Sequence, residues 1–131
     1  KGTEKIWDSS LANMGTLSVN LYFRDRIPDY LEAVFPPFWR RELDIEDIGV
    51  IKDCLEMAGV DSSDFQTFVT RAGKQMHDHI LDHRFEAGMY GVPTYVLDNS
   101  VFFGREHLPY IRWVLSGKSG QVPDVGNEVF E

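Results

Sequence analysis

Only one part of this chain carries the pattern of β structure, and it is too small to stand alone. Thr94-Tyr-Val-Leu97 reads as a strand, Asp98-Asn-Ser100 as a turn and Val101-Phe-Phe103 as a second strand, together a hairpin. A two-stranded hairpin is marginal in water, and its apolar residues call for a larger sheet. No other stretch of the 131 residues supplies a convincing strand. The hairpin is therefore expected to pair with a second copy of the chain, or with strands that lie outside this sequence.

The rest reads as helix. Asp8-Ser-Ser10 opens the first, with Leu11, Met14, Leu17 and Leu21 at spacings of three and four, and Gly15 weakening it. Asp25-Arg-Ile-Pro28 breaks it, and Pro28 suits the first turn of a second helix whose buried face is Leu31, Val34, Phe35, Phe38 and Trp39. Pro36-Pro37 should kink that helix or end it early. Asp44-Ile-Glu-Asp47 opens a third, with Ile48, Ile51, Leu55 and Ala58 on one stripe and Gly59 at its end. Asp61-Ser-Ser-Asp64 caps a fourth, carrying Phe65, Phe68, Val69 and Ala72, which Gly73 should stop. A fifth is expected over 74–87. After the hairpin, Gly104 precedes a last helix over 106–116 with Leu108, Ile111, Val114 and Leu115 inward and Pro109 in its first turn. The expected organisation is a helical domain at 1–88, a strand–strand–helix at 89–117 and a tail at 118–131 containing Pro123, Gly126 and Phe130. The fold class is mainly α with a small β-hairpin (α+β).

Composition excludes several classes. Hydrophobic residues at 43% and aromatics at 13% are too many for a disordered tail. With 13 Lys and Arg against 21 Asp and Glu, the net charge is −8. A nucleic-acid partner would need a basic face, and an anionic membrane surface would repel this chain. No apolar run approaches the roughly 18–20 residues of a membrane span. Lys1-Gly-Thr-Glu-Lys-Ile-Trp-Asp8 is too polar for a signal peptide and has no initiator Met, so a processed, cloned or truncated start is expected. The single cysteine, Cys54, fits a reducing compartment, and the expected localisation is cytoplasmic.

Few residues offer chemistry by themselves. Pro93 sits at the mouth of an apolar strand and keeps Val92 out of the helical region, so it looks placed to shape a site. His79 and His83 stand one turn apart beside Asp82, a weak alternative for zinc that lacks a further supporting element; a solvated polar face is the plainer reading. Cys54 lies within a helix with no basic cluster to activate it. Ser9 and Ser10 read as helix caps.

Gly91-Val-Pro-Thr-Tyr-Val-Leu-Asp-Asn99, followed by Phe102-Phe-Gly104-Arg-Glu-His-Leu108, resembles the C-terminal half of the kappa-class glutathione transferases and of their bacterial relatives, the 2-hydroxychromene-2-carboxylate isomerases. Phe38-Trp39, Leu43-Asp-Ile-Glu-Asp47, Ala58-Gly-Val-Asp61 and Gly120-Gln-Val-Pro-Asp124 are similar to other parts of that family. Such proteins are DsbA-like members of the thioredoxin superfamily, with a helical domain inserted into a thioredoxin fold. The resemblance implies a cis bond between Val92 and Pro93, with the Val92 backbone free to pair, strand-fashion, with glutathione. It implies that Glu106 receives the α-amino group of the γ-glutamyl arm. Arg105 adjoins it where the family has a small or amide residue. Trp39 and Tyr90 become candidates for the wall of an acceptor-substrate cleft, with core packing as their alternative role.

The same family needs a serine, or in its oxidoreductases a Cys-X-X-Cys, on a strand–helix–strand unit that this sequence does not contain. The chain therefore shows no nucleophile of its own. Three readings remain open: part of a glutathione-dependent isomerase or transferase acting on a small-molecule acceptor, part of a DsbA-type thiol–disulfide oxidoreductase, or a non-catalytic homodimer that completes its sheet with a second copy. A homodimer is expected under the first reading too.

Overall fold

The computed structural model describes residues 5–124; residues 1–4 and 125–131, Gly126 and Phe130 of the tail among them, lie outside the described residues. The described chain is mostly helical with one antiparallel pair of strands, an α+β arrangement. In order it forms α1 (Ser10–Tyr22), α2 (Ile27–Trp39), α3 (Ile48–Met57), α4 (Phe65–Thr70), α5 (Ala72–His83), β1 (Thr94–Leu97), β2 (Ser100–Phe103) and α6 (Leu108–Leu115). Short 3-10 turns at Arg24–Arg26 and Arg105–His107 lead into α2 and α6. Two compact units result, Lys1–Leu81 and Asp82–Glu131.

The first unit is built around α1, α2 and α3. Tyr30 of α2 is 1% exposed, and its hydroxyl donates to the Ala12 carbonyl of α1 at 3.0 Å. That approach is possible because position 15 carries no side chain: a Cβ there would fall on the Tyr30 hydroxyl and lie 3.3 Å from Ile51 Cγ2 of α3. Gly15 thus serves close helix packing, at the cost in helix propensity read from the sequence. Burial pushes the Tyr30 phenol far above its ordinary pKa, so it stays a neutral donor. Val19, Ile51, Cys54, Leu55 and Val60 complete the fully buried centre. Asp47 caps α3, its Oδ1 accepting from Gly49 N–H at 2.7 Å and Val50 N–H at 3.3 Å. The segment before α1 is strapped down by Glu46, which accepts from Lys5 Nζ at 2.6 Å and from Asp8 N–H at 2.8 Å.

Several local expectations change. Pro36 and Pro37 do not end α2 at once; they sit near its end, and the helix runs to Trp39. Without an N–H, Pro37 cannot bond the Ala33 carbonyl four residues back. That carbonyl is met instead by the Cys54 thiol, 3.7 Å away in the core. The predicted buried face of α2 is narrower than expected. Tyr30, Ala33 and Val34 are buried, whereas Phe35 and Trp39 are exposed, because the buried stripe follows the contacts with α1 and α3. Gly73 does not stop α4, which already ends at Thr70; it lies inside α5, and the Phe68 ring packs where its Cβ would be, 2.6 Å from it. The fifth helix ends at His83, although Ala87 N–H still reaches the His83 carbonyl at 3.1 Å and the turn closes only at Gly88.

In the second unit the hairpin register is Thr94↔Phe103, Tyr95↔Phe102, Val96↔Val101 and Leu97↔Ser100, so β2 starts one residue earlier than predicted. The turn is Asp98-Asn99, with Asp98 at φ 50°, the backbone that Asp and Asn tolerate best after glycine. A run of aromatic rings ties hairpin to helix. Phe102 packs on His107 at 5.6 Å and on Tyr110 at 5.8 Å, and Tyr110 on Trp113 at 5.7 Å. Of the residues expected inward on α6, only Ile111 is buried; Leu108 and Leu115 are exposed, since a two-stranded sheet covers only part of a helix face.

The notch at Gly15 gives a prediction whose sign is set by magnitudes. Gly15→Ala gains about 1 kcal/mol of helix propensity but overpacks a site that cannot yield, at a cost of about 1–3 kcal/mol. Net destabilisation is expected in urea melts, and Tyr30→Phe in the same chain should recover part of it by removing the clashing hydroxyl. A more stable Gly15→Ala protein would contradict this packing.

Candidate functional site

The sequence-predicted site residues at the hairpin fall together. The Val92–Pro93 peptide bond is cis, and Val92 is 91% exposed. The carbonyls on either side of it are occupied. The Gly91 carbonyl accepts from Thr94 Oγ1 at 2.5 Å, and the Pro93 carbonyl from Gly104 N–H at 2.9 Å. Pro93 has no N–H to offer. Among the described residues nothing pairs with the Val92 N–H or C=O. Val92 therefore offers an open N–H and an open C=O just before β1, between two satisfied carbonyls.

Gly104 links this peptide to the acidic residue beyond it. Its φ of 98° with ψ of 152° belongs to a region essentially reserved for glycine. The conformation lets its N–H hold Pro93 while the Glu106 carboxylate folds over its Cα, in the space a Cβ would fill. Glu106 thus lies one backbone hydrogen bond away from the Pro93 peptide. Arg105 occupies the first position of the same 3-10 turn and is exposed. Sequence reasoning missed three supporting positions: Thr94, which ties off Gly91; Gly91 itself, against which the Phe103 ring packs 2.7 Å from a Cβ position; and Gly104 as the connection. A hydroxyl directly after the proline was the available signal for the first.

Other candidates are placed differently. Tyr90 is 76% exposed and stacks on Phe85 at 5.8 Å, while the Arg84 guanidinium lies 4.2 Å from the Phe85 centroid. Trp39 belongs to the first unit, 71% exposed and edge-on to Phe38 at 5.3 Å. Neither ring is in a core. His79, Asp82 and His83 do not gather: among the described residues no three His, Cys, Asp or Glu side chains are grouped to hold a metal. Asp78 on that helix is taken by Lys74 at 2.8 Å, and His77 is turned inward. Ser9 and Ser10 serve the start of α1, with Ser9 Oγ accepting from Asn13 Nδ2 at 3.2 Å and Ser10 N–H donating to Asp8 Oδ1 at 2.9 Å. Cys54 is buried, which pushes its thiol above the ordinary value, with Asp53 adding to the shift.

The profile of the DSBA-like thioredoxin domain matches residues 4–115. The chain belongs to that family. Among curated proteins, the DSBA-like chain is similar to a 2-hydroxychromene-2-carboxylate isomerase from Sphingobium xenophagum, 24% identical over 94 residues. The aligned part is 70% of this chain and 48% of the relative, so the DSBA-like chain spans about half the length of the curated relative it matches. No solved structure matches it. Among the described residues, no helix is long and apolar enough to cross a membrane.

Two outcomes check this geometry. Gly104→Ala forces a side chain into a glycine-only backbone region, a strain of roughly 1–3 kcal/mol. Hydrogen exchange should show β1 and β2 amides losing protection while those of α1 to α3 keep theirs; unchanged hairpin protection would contradict the assignment. Cys54 should react slowly with a disulfide reagent in the native chain and rapidly once urea unfolds it, whereas fast native labelling would mean the thiol is not buried as described.

Proposed function

We propose that this chain is the helical and C-terminal part of a glutathione-dependent isomerase or transferase of the 2-hydroxychromene-2-carboxylate isomerase type. The observation that carries this reading is the open peptide at Val92, held beside the Glu106 carboxylate through Gly104. In this reading the thiol tripeptide pairs strand-fashion with Val92 at the edge shaped by Pro93, and its α-amino group meets Glu106. Arg105 offers a cation for a carboxylate of the same ligand. The reacting group is the ligand's own thiolate, which makes chemistry feasible without a nucleophile from this chain. In this reading the hydroxyl that stabilises that thiolate comes from the strand–helix–strand unit the family resemblance implies, while Ser9 and Ser10 serve the start of α1. The relative's name supplies the acceptor class, a hydroxychromene carboxylate, and the exposed ring of Tyr90, two residues before Val92, offers a surface on which a planar acceptor could lie.

An NMR titration with glutathione tests this directly. Binding on the order of millimolar should shift the Val92 and Gly104 amides first, and Glu106→Gln should weaken it about tenfold by removing one charge-assisted hydrogen bond. Cysteinylglycine, which lacks the γ-glutamyl arm, should bind weakly and be indifferent to Glu106→Gln. If glutathione leaves the Val92 amide unmoved at saturating concentration, the reading fails.

A second reading, a homodimer, is favoured by the sheet itself, which has two strands among the described residues and leaves their outer edges without a paired strand. Sedimentation at the mass of two chains, reverting to one with Val96→Pro, would support it.

A further inference from the structure

The first unit carries a groove lined wholly by its own residues. It has a volume of about 580 Å³, within the range of small-molecule sites, and runs along α4 between that helix and the end of α1. Its walls are the rings of Tyr22, Phe23, Phe65 and Phe68, with Phe65 stacked on Phe68 at 6.4 Å and Tyr22 edge-on to Phe68 at 6.3 Å. Two charges of opposite sign sit at the ends of α4, Asp64 before its first residue and Arg71 after its last, and both line the groove. Seven residues of helical rise separate their backbones by roughly 10 Å.

Both side chains are unspent. Asp64 makes no capping bond, and among the described residues neither its carboxylate nor the Arg71 guanidinium has a hydrogen-bond or ion-pair partner. The neighbouring Asp61 differs, for its Oδ1 already accepts from Ser63 N–H at 2.8 Å. The groove therefore presents one open anion, an aromatic middle and one open cation, in that order. A complementary ligand carries an ammonium and a carboxylate at opposite ends of an apolar body. At about 3.3–3.6 Å per extended residue, a chain of two or three residues fits between charges whose side chains reach inward. Aromatic side chains on it would meet chiefly the exposed rings of Tyr22 and Phe23, backed by the buried Phe65 and Phe68.

We infer that this groove is a binding site for a short zwitterionic peptide, two or three residues long, with aromatic side chains. The thiol edge belongs to the other unit.

Isothermal titration of the 131-residue chain with phenylalanyl-phenylalanine, its N-acetyl form and its C-terminal amide reads out the two poles separately. The free dipeptide should bind saturably, and each capped form about tenfold more weakly. Arg71→Gln should erase the preference for the free carboxylate while keeping that for the free amine; Asp64→Asn should do the reverse. Thr67→Trp, at an exposed position lining the groove, should abolish binding of all three and leave a glutathione titration unchanged. Equal binding of capped and free peptides, loss of both preferences in either single variant, or no binding at all would overturn the proposal. So would a sedimentation mass that halves with Thr67→Trp, which would give the groove to a second copy of the chain.

Discussion

The contact between the Tyr30 hydroxyl and the bare backbone at Gly15 sets how closely α1 and α2 lie, and the first unit follows from that spacing. Ile51 of α3 reaches the same notch, so three helices share one point of closest approach. A phenol at such a point is useful only if its polar end is satisfied, and the Ala12 carbonyl accepts it. Pairing a buried polar atom with a backbone group recurs a few residues away. There Pro37 of α2 leaves the Ala33 carbonyl without its helical donor, and the Cys54 thiol lies against it. The core of this unit is organised as much by where backbone polar atoms find partners as by the apolar stripes.

The second unit rests on rings and turns. Two strands cannot bury a helix face, and the exposed Leu108 and Leu115 show how little of α6 the hairpin covers. The sequence of rings from Phe102 through Tyr110 to Trp113 supplies the contact instead, and the Trp113 indole N–H donates to the Gly120 carbonyl at 3.3 Å to fold the following segment back. On this modest base, the positive φ of Gly104 joins Pro93 to Glu106.

Helices α1, α3 and the hairpin were legible in the sequence because each carries redundant signals: an Asp cap, a three-and-four spacing, a closing glycine or a strand pattern around a short turn. Phe35 and Trp39 were not, because apolar periodicity shows that a face exists and says nothing of how wide a stripe its neighbours cover. Pro36 and Pro37 suggested an earlier stop than the helix makes, for a related reason. Their local penalty is read from two residues, whereas the compensating thiol arrives from position 54, out of reach of any local rule. At the site, Val92, Pro93, Arg105 and Glu106 were visible through resemblance to a family. The roles of Thr94 and Gly104 emerge only from hydrogen bonds that close across the hairpin. The groove along α4 could not have been anticipated, since its aromatic walls come from segments some forty residues apart.

The satisfied carbonyls on either side of Val92 have a consequence for any chain laid against it. With the Gly91 and Pro93 carbonyls closed off and Pro93 lacking a donor, an incoming backbone finds its polar partners only at every second residue, starting at Val92 and continuing along the open edge of β1. The register of anything that docks there is thereby set from its first contact.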